Sequence, residues 1–193
     1  SSDLLPVHHH NASVTADNLH RVLRGRDKYL VLGGDHLITL GILRARAEEG
    51  PVHLYLFDAH SDDYEVASME GVHPIHSGNW LSAALKEGLV SAVSWFDYRS
   101  RKFALPKGKP PARIHVSVDI DVLDPREIAW ATPYPEVGGC SLERLLADLS
   151  KLNVEGASVT ADLVEYDPTR DSGMIGAQVA AAITTSLLEL IAA

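Results

Sequence analysis

Three short motifs in this chain bring together side chains able to hold cations. Asp58-Ala59-His60-Ser61-Asp62 sets two carboxylates and one imidazole at alternate positions. In extended backbone alternate side chains point the same way, so these three can converge on one point. Asp119-Ile120-Asp121 repeats the alternation with two more carboxylates, and Gly33-Gly34-Asp35-His36 supplies a second imidazole. Carboxylate and imidazole together suit Mn²⁺, Fe²⁺ or Zn²⁺. His36, Asp58, His60, Asp62, Asp119 and Asp121 offer six ligands and four negative charges, more than one divalent ion requires. Such a set fits two ions sharing bridging carboxylates, which can turn a bridging water into hydroxide near neutral pH. Each motif alone has a plainer reading: Asp-x-Asp after a strand as a turn or cap, Gly-Gly-Asp-His as a tight turn. Clustered carboxylates without ions, however, repel one another and raise their own pKa values.

Hydrophobic periodicity gives the elements that must position these groups. Leu19, Val22 and Leu23 mark a helix over residues 15–24, and Tyr29-Leu30-Val31-Leu32 reads as a short buried strand ended by Gly33-Gly34. A helix over 37–49 stops at Gly50-Pro51. A buried strand over 52–57 runs straight into Asp58, and a helix over 79–87 closes at Gly88. Strands follow at 92–96 and 113–118, separated by the Lys107-Gly108-Lys109-Pro110-Pro111 loop. Ser141 caps a helix to about residue 152; a strand over 157–164 leads to Glu165, and an Ala/Leu helix spans 176–191. Strands alternating with helices, most strands apolar throughout, predict a mostly parallel sheet covered on both faces: a three-layer α/β/α domain. In such sheets functional groups gather at the carboxyl ends of strands. Four strands here end in acids or histidines: Asp35-His36, the segment from Asp58 to Asp62, Asp119-Asp121, and Glu165.

Composition narrows the classes. The 193 residues suffice for one compact domain, with residues 1–12 read as a tail whose His8, His9 and His10 are a metal-binding tract or part of a frayed end. At 46% hydrophobic and 22% charged residues, the chain can bury a core. Seventeen Lys and Arg against 26 Asp and Glu give −9, with no basic face for a nucleic acid. The acid excess favours cationic or metal partners. One cysteine, Cys140, excludes an internal disulfide and reads as a small buried apolar residue. No uninterrupted apolar run approaches 18 residues and no leader is visible, so the expectation is a cytoplasmic protein without a membrane span.

Gly33-Gly34-Asp35-His36, Asp58-Ala59-His60-Ser61-Asp62 and Val118-Asp119-Ile120-Asp121-Val122-Leu123-Asp124-Pro125, in that order, resemble the motifs of the ureohydrolases, the family of arginases and agmatinases. The resemblance covers roughly residues 29–168. It implies an arginase-like fold and a pair of manganese ions whose hydroxide attacks a guanidinium carbon and releases urea. Carried over, it gives His36 and Asp62 to the first metal, His60 and Asp121 to the second, and Asp58 and Asp119 to both as bridges. Glu165, in Ala161-Asp162-Leu163-Val164-Glu165-Tyr166-Asp167-Pro168, matches the family acid that holds the guanidinium. A carboxylate can indeed accept two parallel hydrogen bonds from that group; pairing with a structural Arg is the plainer alternative. A histidine just beyond the Asp-x-His-x-Asp segment serves the family as proton shuttle. His73 and His76 both lie there, and His76 is nearer the family spacing.

The chain also departs from the pattern. It is short for the family, and the stretch between His76 and Asp119 lacks about one strand-helix-strand portion. Ser77-Gly78-Asn79 is similar to an arginase motif that reads the amino-acid end of the substrate, which makes Asn79 a candidate substrate contact, but it stands after the preferred histidine. Residues 75–82, followed by Ala92-Val93-Ser94-Trp95, are similar to peptide arginases, which convert arginine side chains of ribosomal peptides to ornithine. Trp80 and Trp95 otherwise read as core residues. The expected substrate is therefore an arginine in a precursor peptide, with free arginine, agmatine or another guanidino acid as the alternative. A deacetylase-like hydrolase lacks support because its paired-histidine motif is missing, and a binding-only relative or a homo-oligomer stays open.

Overall fold

The computed structural model describes residues 12–64, 75–100 and 105–193. Five strands form one parallel sheet in the order β1-β5-β4-β2-β3: β1 Leu30–Leu32, β2 Val52–Phe57, β3 Val90–Phe96, β4 Arg113–Asp119 and β5 Ser158–Val164. The helices are α1 Ala12–Leu23, α2 Ile38–Arg46, α3 Trp80–Lys86, α4 Leu142–Leu149 and α5 Ile175–Ala192. They cover both faces, as the alternation of elements predicts. Ile114, Val116 and Val118 of β4 and Val159, Ala161 and Leu163 of β5 meet Leu145 and Leu149 of α4 and Ile183 and Leu187 of α5 in one apolar cluster. On the other face, Leu54 and Leu56 of β2 pack with Leu40 and Leu43 of α2 and Trp80 and Leu81 of α3.

Two local features hold the helices where the site needs them. The Ser141 side chain accepts a hydrogen bond from the Arg144 amide, which starts α4. At Gly41 of α2, a Cβ would stand 2.4 Å from the Ala16 carbonyl oxygen, so only glycine lets α1 lie this close.

Burial departs from expectation at the edges of the sheet. β1 is half-buried and Leu32 is 62% exposed, because β1 has a neighbour on one side only. The opposite edge, β3, leaves Trp95 39% exposed, so this residue is not a core residue as its composition suggested, whereas Trp80 is fully buried. β4 and β5 are also not apolar throughout: one face of each is polar and still buried, through His115 and Ser117 on β4 and Thr160 and Asp162 on β5. Residues 172–192 form a helix long and apolar enough to cross a membrane by length and composition, which counting uninterrupted apolar runs overlooks. Its apolarity serves the core in part, since Val179, Ile183, Leu187, Leu190 and Ile191 are buried. The tail through residue 11, with its three histidines, lies outside the described residues.

Candidate metal centre

β2 and β4 are parallel neighbours with Phe57 registered on Val118, so both chains pass from strand to rim at Asp58 and Asp119. β5 pairs with the far side of β4, Asp119 on Val164, and delivers Glu165 one residue later. β1 leads through Gly33 and Gly34 to His36, two residues before α2, and the Gly33 amide donates to the Leu163 carbonyl to fix that approach.

His36 Nδ1 lies 3.2 Å from Asp58 Oδ2, 3.1 Å from Asp62 Oδ2 and 3.1 Å from Asp119 Oδ2. On the other side of Asp58, His60 Nδ1 lies 2.8 Å from Asp121 Oδ2 and 3.7 Å from Asp58 Oδ1. Two ligand groups result, His36-Asp58-Asp62 and Asp58-His60-Asp121, each with its donor atoms within 4.8 Å of one another. Asp58 belongs to both, one oxygen to each. Asp119 joins the first group through Oδ2 while its Oδ1 accepts from the Asp121 amide. His36 Nδ1 and Asp58 Oδ2 are buried without a hydrogen-bond partner. Buried polar atoms almost always have one. Oxygen and imidazole donors converging with bare lone pairs fit a pair of divalent cations.

The electrostatics express the same imbalance. Burial, with neighbouring acids, pushes Asp58 up to about 7 and Asp119 well above the usual carboxylate range. His36, although burial opposes its charge, is raised by the carboxylates of Asp119, Asp58 and Asp62 that face its Nδ1. His60 is raised to about 9 by Asp121. Protons take up charge that divalent ions could neutralise.

Groups outside the three motifs brace this set. The indole N–H of Trp80 donates to Asp62 Oδ2 at 2.7 Å, and its ring packs 4.8 Å from the His36 ring. The Trp95 indole donates to the Asp58 carbonyl at 3.0 Å. Glu136, paired with Arg99 at 2.9 Å, approaches His60 Nε2 to 3.5 Å. Asp62 and Glu165 take left-handed backbone, φ 48° and 60°, which non-glycine residues seldom adopt and which turns their side chains back toward the centre.

A cavity of ≈ 240 Å³ opens over these ligands, lined by His36, His60, Asp62, Asp119, Asp121 and Glu165 at its floor and by Tyr64, His76, Ser77, Gly78 and Tyr134 above. Glu165 Oε1 accepts from the His36 amide at 2.7 Å, and burial raises this carboxyl to about 7. His76 Nδ1 accepts from the Gly78 amide, which puts the proton of the neutral ring on Nε2. Asn79 is buried and does not line the cavity; its Oδ1 accepts from the His76 amide, so its place is behind the histidine. His73 lies outside the described residues. Tyr64, Tyr134 and Glu136 have no motif around them, and the sequence carried no signal for them. Trp80 was in view as core and within the segment similar to peptide arginases, with no contact to Asp62 foreseen.

A family model for the arginase family matches residues 5–103 and 102–189. Arginase 2 of Arabidopsis thaliana, chloroplastic/mitochondrial, is 32% identical over 171 residues, which is 74% of this chain and 48% of that protein. An agmatinase of Photorhabdus laumondii is 32% identical over 184 residues, 83% of this chain and 60% of its own length. Among solved structures, proclavaminate amidino hydrolase from Streptomyces clavuligerus superposes with a TM-score of 0.77 at 26% identity, over 98% of this chain and 73% of that one. The chain spans about half the length of the plant arginase it matches.

Proposed function

This chain belongs to the arginase family, and on that premise we propose that it hydrolyses a guanidino group to an amine and urea, with an arginine side chain of a peptide as substrate and ornithine as product. The two ions these ligands would hold, manganese in our reading, supply a water acidified enough to react near neutral pH. The chain's own groups do the rest. Glu165 faces the guanidinium from the cavity floor and accepts its N–H groups, which fixes the carbon over the ligand cluster. His76 lines the cavity, and once protonated and released from the Gly78 amide it delivers a proton to the departing chain nitrogen as its bond to the guanidino carbon breaks. Water adds at carbon, the amine leaves protonated, and urea remains.

The observation that carries the peptide reading is the lining itself. Among the described residues around the cavity there is no Lys or Arg, so no cationic Lys or Arg side chain there meets the α-carboxylate of free arginine. Tyr64 and Tyr134 stand exposed at the mouth, where a flanking peptide would pass. Agmatine, which also lacks a carboxylate, is the second reading, favoured by the agmatinase relative. Incubating Mn²⁺-loaded protein with an arginine-containing peptide, free arginine and agmatine distinguishes them. Peptide turnover, seen as urea and loss of one CH₂N₂ unit per arginine, with the small compounds untouched, supports the first. Urea from agmatine or arginine alone removes the peptide assignment, and no urea from any of them removes the activity.

A further inference from the structure

Behind His36 runs a polar stripe that the reaction above does not use. β4 and β5 register Ser117 on Asp162 and His115 on Thr160, and all four side chains are fully buried on the face toward α2. None of them lines the cavity. Burying such groups opposes folding unless every one is paired, and apolar residues would fill the same space at less cost. The pairing here is complete and leads to one place. Asp162 Oδ1 accepts from Ser117 Oγ at 2.6 Å, and Oδ2 accepts from Thr39 Oγ1 at 2.7 Å and from His115 Nε2 at 3.1 Å. His115 Nδ1 meets Thr160 Oγ1 at 2.9 Å. Ser117 Oγ also lies 2.9 Å from His36 Nε2.

Counting protons settles the direction of that last bond. A serine hydroxyl has one proton, and Ser117 gives it to a carboxylate that can only accept. Toward His36, Ser117 is therefore an acceptor, and His36 Nε2 must carry a proton. A neutral imidazole with its proton on Nε2 presents a bare Nδ1, which is the atom 3.1–3.2 Å from Asp58, Asp62 and Asp119. We propose that Asp162, acting through Ser117, is a positioning residue that holds His36 with its proton on Nε2 and its lone pair aimed into the metal centre. The inference rests on reading that centre as a metal site. His115 and Thr39 keep the Asp162 carboxylate oriented, and the Thr39 amide donates to the His36 carbonyl, which ties Thr39 to His36.

Calorimetric titration of the metal-free full chain with Mn²⁺ tests it, with electron paramagnetic resonance of the loaded protein as the second readout. The wild type takes up two ions and gives the signal of a magnetically coupled pair. Asp162→Asn offers Ser117 an amide donor, which lets the hydroxyl turn toward His36 Nε2 and drives the ring proton onto Nδ1. That variant loses roughly 10–100-fold in affinity for one ion, keeps the other, and loses the coupled signal. Ser117→Ala does the same should Asp162→Asn not fold, and Ser117→Thr, which keeps the hydroxyl, restores both readouts. Wild-type binding of both ions by Ser117→Ala overturns the relay, as does a loss that Ser117→Thr fails to restore. A wild-type chain that binds no Mn²⁺ overturns the metal-centre reading first and the relay with it.

Discussion

Asp58 contributes an oxygen to each ligand group, whereas Asp62 contributes to one. Asp58→Ala is therefore expected to lose both ions, and Asp62→Ala the ion beside His36 only; elemental analysis of the purified variants counts them. Equal loss from both variants would mean that the groups do not act as a pair with a shared member. His76 lines the cavity and belongs to neither ligand group among the described residues, so His76→Ala should retain its metal and slow turnover by roughly 10²–10⁴-fold. Metal loss in that variant assigns His76 to the ligand set instead. The ligands were legible in the chain because each motif is local: Asp58, His60 and Asp62 lie within five residues. Ser117 and Asp162 were not, since they are 45 residues apart and meet only through the register of two strands. Their signal was present all the same. His115-Val116-Ser117-Val118-Asp119 and Thr160-Ala161-Asp162-Leu163 alternate polar with apolar, a pattern that in a central strand calls for a buried polar partner.

At the scale of elements, the alternation of strands and helices gave their succession along the chain and the parallel sense of the sheet, while burial depended on which strands became edges. Nothing in Tyr29-Leu30-Val31-Leu32 tells that β1 has one neighbour, and so Leu32 is exposed although its composition is that of a core strand. The connection from β4 to α4 was equally silent between Pro125 and Cys140, yet it carries Tyr134 to the cavity mouth and Glu136 toward His60. It is pinned where Cys140 pairs with Leu123: the Asp124 amide donates to the Cys140 carbonyl and the Cys140 amide to the Val122 carbonyl. Burial pushes the Cys140 thiol up to about 12, in keeping with a packing residue rather than a nucleophile. Gly139 makes the approach possible, because a Cβ there would lie 2.5 Å from the Val122 oxygen and from the Leu123 carbonyl carbon, both backbone. Gly139→Ala should cost about 1–3 kcal/mol of stability, measured as a lower denaturant midpoint, since backbone cannot move aside as a side chain can. An unchanged midpoint would show that the connection shifts freely and does not set the cavity mouth.

For the molecule as a whole, the charge gathered at the strand ends makes stability depend on pH in a direction opposite to that of most acidic proteins. Asp58 and Glu165 rise from ordinary values of 3.8 and 4.5 to about 7 in the fold, burial being the main cause. His60 rises from 6.5 to about 9 through Asp121. Each of these groups binds its proton more tightly when folded, so the metal-free chain releases protons on unfolding and loses stability as pH climbs from about 4 to 9. Asp162, Asp167 and Asp171, which the fold holds below the usual range, act the other way, but only as pH falls below about 4. Divalent ions compete with those same protons and bind the deprotonated groups, so their stabilisation grows with pH and reaches about 2.7 kcal/mol at a hundredfold excess over Kd. Calorimetric melting should therefore place the chelator-treated protein higher at pH 5 than at pH 8.5, and excess Mn²⁺ should reverse that order. A melting point that rises with pH in the chelated protein would mean the carboxylates are already ionised without ions, and the strand ends would then be an acidic surface and not a metal centre.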